Sequence, residues 1–198
     1  MNRWKNRSHL LPLAGGIFLL LVTLFLYRDF LELSHLGHDS YPIIITARIE
    51  SAADLAGTFT EELMDGRYPP GHFYRPVLNL SFALDHAVWG LNPFGYHLTD
   101  LIILCLTVVL FSQVLSRMGG RTFAAAGIAA GLFFVVHPIH LNVLPVAPRR
   151  GDTLTLLFML LALRSAGRPA WTDRLAAPLF TLLAVCSKET GAITPMLI

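Results

Sequence analysis

Apolar residues run almost unbroken over residues 10–27, LLPLAGGIFLLLVTLFLY. Written as a helix, such a run is long enough to cross a hydrocarbon core about 30 Å thick. Four further apolar runs follow, at residues 98–115, 123–136, 154–163 and 175–186. A last one begins near Thr190 and reaches Ile198. Nine helical residues rise only about 13 Å, so the pattern predicts five complete membrane spans and a partial sixth. The expected unit is therefore a fragment of a larger membrane protein. The third run contains Ala125, Ala126, Ala129, Ala130 and Gly131, small residues that let membrane helices approach closely.

Residues 28–97 form one long segment between the first two runs. Apolar clusters over 43–59, broken by Arg48, Glu50 and Asp54, fit either strand or helix. Tyr68-Pro69-Pro70-Gly71 predicts a turn. Arg75-Pro76 then opens a helix with proline in its first turn, and Gly90 closes it. Within it Val77, Leu80, Leu84 and Val88 recur at helical spacing, while Asn79, Asp85 and His86 interrupt the apolar character. Such a helix is expected along the membrane interface, with Trp89 near the headgroups; burial among the spans is the alternative.

Composition agrees with a membrane class. The 198 residues are 54% hydrophobic and only 14% charged, and the mean hydropathy is +0.58; soluble domains carry about a quarter charged residues. Where the charges fall says more than the formal net charge of +2. Arg3, Lys5 and Arg7 precede the first run, and arginines recur at Arg117, Arg121, Arg164, Arg168 and Arg174. The positive-inside rule assigns these segments, and residues 1–9, to the cytoplasm, which puts residues 28–97 on the outer side. Every histidine except His9 then lies outside. No small-x-small site follows residue 27, so a retained anchor is expected rather than a cleaved signal. The arginines form no basic stripe, and nucleic acid is not an expected partner. Cys105 and Cys186 fall in apolar runs and imply neither a disulfide nor a metal site.

The chemistry-bearing stretch is residues 137–152, HPIHLNVLPVAPRRGD, between the third and fourth runs. Polar and ionisable groups at the end of a membrane helix are costly to keep, and their presence points to a working pocket. Two other polar blocks share its face: FYRPVLNLSFALDHAVWGLNPFGYHLTD at 73–100 and SKETGAITP at 187–195.

These blocks, in this order, resemble the membrane part of the tetratricopeptide-associated O-mannosyltransferase-like proteins, a branch of the GT-C glycosyltransferase superfamily. The pattern there is an acidic pair after the first span, then YRPL…LNPFGYH, HPxHxE…GRxD and SKE. The resemblance covers nearly all of the chain from Leu10. It implies an all-α integral membrane fold, a GT-C-like multi-span helical bundle whose large outer first loop carries interfacial helices. It also implies transfer of a sugar from a polyprenyl-phosphate-linked donor to a hydroxyl of a protein or glycan acceptor, on the outer face of the membrane and with inversion. The bacterial inner membrane is the favoured location, with the endoplasmic reticulum as the eukaryotic counterpart.

Carried over position by position, His137, Pro138 and His140 match HPxH, Arg150 and Asp152 match GRxD, and Lys188 and Glu189 match SKE. Asp39 falls at the first acid of the loop pair and is the candidate base for the acceptor hydroxyl. Arg150 and Lys188 are the candidate donor-phosphate ligands, arginine because its planar fork matches phosphate oxygens. Asp152, Glu189, Arg75, His137 and His140 are assigned to pocket lining or positioning. Three positions depart from the pattern: Ser40 replaces the second acid, Asn142 stands at the glutamate, and Pro148-Arg149 replaces small residues. These bear on activity more than on fold.

Blander roles stand beside each assignment. Asp39 fits an ordinary solvated acid, Arg149 and Arg150 fit interfacial anchors, and Lys188–Glu189 fits a local ion pair at a helix end. No cofactor is required; a divalent metal between His137, His140 and Asp39 stays open as a weaker alternative to helix capping. A non-catalytic protein that binds membrane lipids or assists assembly is the second functional class. A transporter is disfavoured, because no span has the broken middle or mid-membrane charge that class uses.

Overall fold

In the computed structural model, residues 10–66, 73–118, 124–166 and 170–198 are described. The N-terminal cations Arg3, Lys5 and Arg7, the Tyr68–Gly71 turn, Arg121 and Arg168 lie outside them. The described residues are helical, with one isolated backbone bridge between Leu36 and Val146 and no strand. The helices are α1 (Leu10–Tyr27), α2 (Ser40–Thr46), α3 (Ala52–Thr60), α4 (Pro76–Trp89), α5 (Pro93–Met118), α6 (Ala124–Val135), α7 (His140–Val143), α8 (Arg150–Ser165) and α9 (Trp171–Ser187). Short 3-10 segments cover Arg28–Glu32, Leu63–Gly66, Ala147–Arg149 and Glu189–Met196.

Each of the five full-length apolar runs forms a helix. Two stretches, Leu11–Glu32 and Pro93–Met118, are long and apolar enough to cross a membrane, and Ala124–Val135 is a shorter apolar helix. Helices α8 and α9 occupy the stretches predicted as the fourth and fifth spans and are 16 and 17 residues long. Hydropathy marks only the greasy middle of a helix, so both α5 and α8 begin earlier than their apolar runs. Tyr96, His97 and Asp100 consequently sit on the first turns of α5, and Arg150 and Asp152 on the first turn of α8. The final run, predicted as the start of a sixth span, is a 3-10 segment containing Pro195.

The 43–59 clusters resolve into helix. Ser51 caps α3 through a capping box, accepting from the Asp54 amide while Asp54 accepts from the Ser51 amide. Helix α4 runs over the span predicted for it and stops at Gly90, whose φ of +59° suits glycine. Its buried face is Leu78, Asn79, Phe82 and Asp85, whereas Leu84 and Val88 are 62% and 71% exposed. The interruptions Asn79 and Asp85 therefore point inward beside Leu78 and Phe82, while of the stripe residues Leu84 and Val88 face out and Val77 and Leu80 are half-buried.

Named contacts set the helix directions. Tyr27 Oη donates to the Val135 carbonyl (2.6 Å), joining the C-terminal ends of α1 and α6. The Ser116 hydroxyl of late α5 packs at Gly127 of early α6, so these two run antiparallel. Arg150 of early α8 reaches Asp100 of early α5, and Arg164 of late α8 donates to Gln113 of late α5 (2.7 Å). Thr155 of α8 donates to the Ala184 carbonyl of α9 (3.3 Å), turning α9 back against α8. One end of the molecule thus gathers the end of α1, the start of α5, the end of α6, the start of α8 and the end of α9. Core residues Ile43, Ile44, Leu78, Phe82, Tyr96 and Leu154 fix the loop helices onto that end. A second core, built on Leu19, Leu104, Val108 and Val135, joins α1, α5 and α6.

The 3-10 segment after α9 lies so close to that helix that a Cβ on Gly191 would fall 2.3 Å from the Ala184 carbonyl carbon. Main chain cannot yield as a side chain does. Gly191→Ala is expected to destabilise the detergent-solubilised protein by about 1–3 kcal/mol. At Gly16 the nearest atom, a Val109 methyl, is an ordinary 3.5 Å away. Thermal unfolding of the two alanine variants checks this: a lowered transition for Gly191→Ala and little change for Gly16→Ala.

Candidate functional site

The gathered end contains a buried charge cluster around Arg150, which is only 2% exposed. Its Nε donates to Asp100 Oδ1 at 2.5 Å, and its Nη1 lies 2.6 Å from Asp85 Oδ2. Its Nη2 donates to the Tyr96 carbonyl at 3.0 Å, and Nη1 also approaches the Ser81 hydroxyl and carbonyl at 3.4 and 3.5 Å. The guanidinium plane rests 4.4 Å from the Phe82 ring centroid, a geometry worth about 2 kcal/mol when desolvated. Thr99 donates to the other Asp85 oxygen (2.7 Å). One cation therefore ties together α4, α5 and α8.

Beside this cluster, two ion pairs stand next to each other in sequence. Lys188 Nζ is 2.6 Å from Asp152 Oδ1. Arg75 grips Glu189 with both prongs, Nε to Oε1 at 2.9 Å and Nη2 to Oε2 at 2.7 Å, and covers the Phe73 ring at 4.7 Å. Burial pushes the Glu189 carboxyl up, but the Arg75 hydrogen bonds, the Glu189 amide and the charges of Arg75 and Lys188 together hold the group below its ordinary value. Close packing brings the pairs together: a Cβ on Gly151 would sit 3.2 Å from the Ser187 carbonyl oxygen. The Lys188 side chain is 26% exposed and that of Arg75 13%.

The Asp39 segment reaches the same end through the bridge between Leu36 and Val146. Asp39 is half-buried, precedes α2 as its N-cap, and its carboxylate makes no hydrogen bond there. It is not in contact with Arg75, Arg150 or Lys188. Ser40, at the position of the second acid, is buried and donates its hydroxyl to the Leu36 carbonyl.

The two histidines separate. His137 is exposed, its Nδ1 accepting from the Ile139 amide. His140 is buried between Tyr27 and Phe134, with Nε2 3.0 Å from the Phe134 carbonyl. Burial lowers its pKa below the ordinary 6.5. Among the described residues no three His, Cys, Asp or Glu side chains group as a metal site. Residues 137–152 are thus divided between a turn at His137–Pro138, the single turn of α7, the 3-10 segment Ala147–Arg149, and the start of α8. Arg149 is exposed and donates to the Asn142 carbonyl (3.3 Å).

Arg150, assigned above to the donor phosphate, has its donors occupied by two carboxylates and two carbonyls inside the protein, and in this conformation presents no face to a ligand. Its partners Asp85, Asp100, Tyr96 and Ser81 were not singled out from the sequence. The available signal was the two acids themselves, since carboxylates in so apolar a context require a buried cation.

Comparison with known proteins finds relatives of one kind. The chain is 41% identical over 93 residues to protein O-mannosyl-transferase TMTC2 of Homo sapiens, 46% of this chain and 10% of that protein. It is 34% identical over 134 residues to protein O-mannosyl-transferase Tmtc1 of Drosophila melanogaster, 63% and 15% of the two chains. With human protein O-mannosyl-transferase TMTC3 the identity is 29% over 125 residues, 60% and 13%. The chain resembles the protein O-mannosyl-transferases. It spans about a tenth to a seventh of the length of these relatives. No family model and no solved structure matches.

Two outcomes follow from the buried groups. Arg150→Met leaves two carboxylates unpaired and is expected to cost about 3–5 kcal/mol. Adding Asp85→Asn and Asp100→Asn should recover much of it, as read by thermal unfolding. For His140, a folded-state pKa below 6.5 means that the unfolded chain takes up the proton first. Stability should fall as pH drops through 6.5 and level off below the folded-state value. His140→Gln keeps a donor without titrating, and should show a shallower fall between pH 7 and 5.

Proposed function

We propose that this chain forms the outer-face working end of a multi-pass, GT-C-like membrane glycosyltransferase. It transfers a sugar from a polyprenyl-phosphate donor to a hydroxyl of a polypeptide, with the N-terminus in the cytoplasm. The observation that carries this reading is the juxtaposition of Arg75 and Lys188, each held by its own carboxylate, at the end that also receives the Asp39 segment. The names and identities of the relatives support the reaction class.

In this mechanism the acceptor oxygen attacks the anomeric carbon as the bond from that carbon to the phosphate oxygen breaks. The phosphate leaves with the bonding electron pair, and the acceptor proton passes to Asp39. The outgoing charge is taken by Arg75 and Lys188, which exchange part of their contact with Glu189 and Asp152 for phosphate oxygens. Single displacement inverts the anomeric centre. Arg150 acts one layer below, as a positioning residue: it fixes the first turn of α8, and with it Asp152, against α4 and α5. The second reading, a non-catalytic lipid-binding or assembly protein, draws support from Ser40, which is spent on the Leu36 carbonyl.

The test uses the membrane-reconstituted protein with a labelled polyprenyl-phosphate sugar and a serine/threonine peptide. Asp39→Asn should lower kcat by about 10²–10⁴-fold, whereas Lys188→Ala should chiefly raise the donor KM. Turnover unchanged in Asp39→Asn removes the proposed base. Donor binding without turnover in the unsubstituted protein selects the non-catalytic reading.

A further inference from the structure

A second polar cavity lies on the outer segment, away from the two ion pairs. It measures about 470 Å³ and is enclosed by α2, α3, the 3-10 segment Leu63–Gly66 and the first turn of α4. Among the described residues its charged lining is Arg48 with three acids, Asp54, Glu61 and Glu62. Arg48 is already paired with Glu50. The Glu61 carboxylate forms no hydrogen bond or ion pair among the described residues, and it lies back over α3 where Gly57 leaves room; a Cβ there would be 3.1 Å from it.

A separate observation comes from the cavity wall itself. Asn79 is 9% exposed, and its buried Oδ1 has no hydrogen-bond partner. A buried carbonyl oxygen without a donor costs about 1–3 kcal/mol, and Asn79 lines the same cavity as Glu61. Asn79 lies four residues after Arg75 on α4, and its amide donates to the Arg75 carbonyl (3.1 Å). The cavity and Arg75, one of the two cations, therefore share the N-terminal end of α4.

The geometry points to a subsite for a basic side chain of the acceptor polypeptide, a lysine or arginine near the hydroxyl to be modified, held by Glu61 and the Asn79 oxygen. This rests on the reading of the chain as a transferase acting on polypeptides. Acceptor oxygens and an acidic wall exclude a phosphate. The volume is within the range of about 300–1,000 Å³ that small ligands fill, ample for a long cationic side chain. Such a subsite would make the protein choose among hydroxyls by the charge of their neighbours.

The experiment measures fluorescence anisotropy of the nanodisc-embedded protein with two labelled peptides, Gly-Ser-Gly-Lys-Gly and the same peptide with norleucine for lysine. The lysine peptide should bind about tenfold more tightly, the value of one charge-assisted hydrogen bond. Glu61→Gln, at an exposed position, and Gly57→Ala, which crowds the carboxylate, should each erase most of that preference and leave norleucine-peptide binding unchanged. Equal affinity for the two peptides, or no binding of either, overturns the subsite. So does a preference that survives Glu61→Gln. A lysine preference without sugar transfer refutes the transferase reading and leaves the cation site standing; transfer with no lysine preference does the reverse.

Discussion

The structure depends on a single buried cation between two carboxylates. Arg150 reaches Asp100 on α5 and Asp85 on α4 from the first turn of α8, at 2.5 and 2.6 Å. Removing such a charge from water costs several kcal/mol, and attraction in a low-dielectric interior offsets it only when the geometry and the remaining hydrogen bonds are good. Here they are: Thr99, the Tyr96 and Ser81 carbonyls and the Phe82 ring complete the shell. Three apolar helices slide past one another at little cost when only side-chain packing aligns them. A charge with two fixed partners on two helices allows one register, and that register places Asp152 beside Lys188.

Helix α4 turns charge inward along with apolar side chains. Its buried face carries Leu78 and Phe82 together with Asn79 and Asp85, while Leu84 and Val88 face out. The acid finds its charge partner inside, and the exposed leucine and valine lose nothing where the outer surroundings are apolar. The exposed apolar faces of α1 and α9, such as Leu21, Phe25, Leu179 and Leu182, follow the same rule.

Above the buried cluster lies a more adaptable layer. The pairs of Lys188 with Asp152 and Arg75 with Glu189 are partly accessible, and exposed ion pairs of this kind contribute little to stability. Asp152 and Glu189 hold Lys188 and Arg75 where α9 gives way to the last 3-10 segment. Asp39 stands apart from both, on a segment joined to this end by one backbone bridge.

Much of this was legible in the residues. Apolar run length predicted the five long helices, Arg75-Pro76 and Gly90 bounded α4, and the polar blocks at 73–100, 137–152 and 187–195 converge at one end. Local rules suffice there because helix length, capping and proline placement act over a few residues. What the sequence could not settle was which charges meet. Arg150 and Asp100 are fifty residues apart, and nothing in their spacing distinguishes a buried arginine from one free to hold a phosphate. The structure places Arg150 among carboxylates, and a single turn of helix turns His137 and His140 to opposite environments. Hydropathy by itself determined that helices form and where their apolar centres lie. Only the tertiary structure decided which ionisable groups are sealed among them and which remain open, because burial is a property of the neighbours a residue acquires and not of the residue.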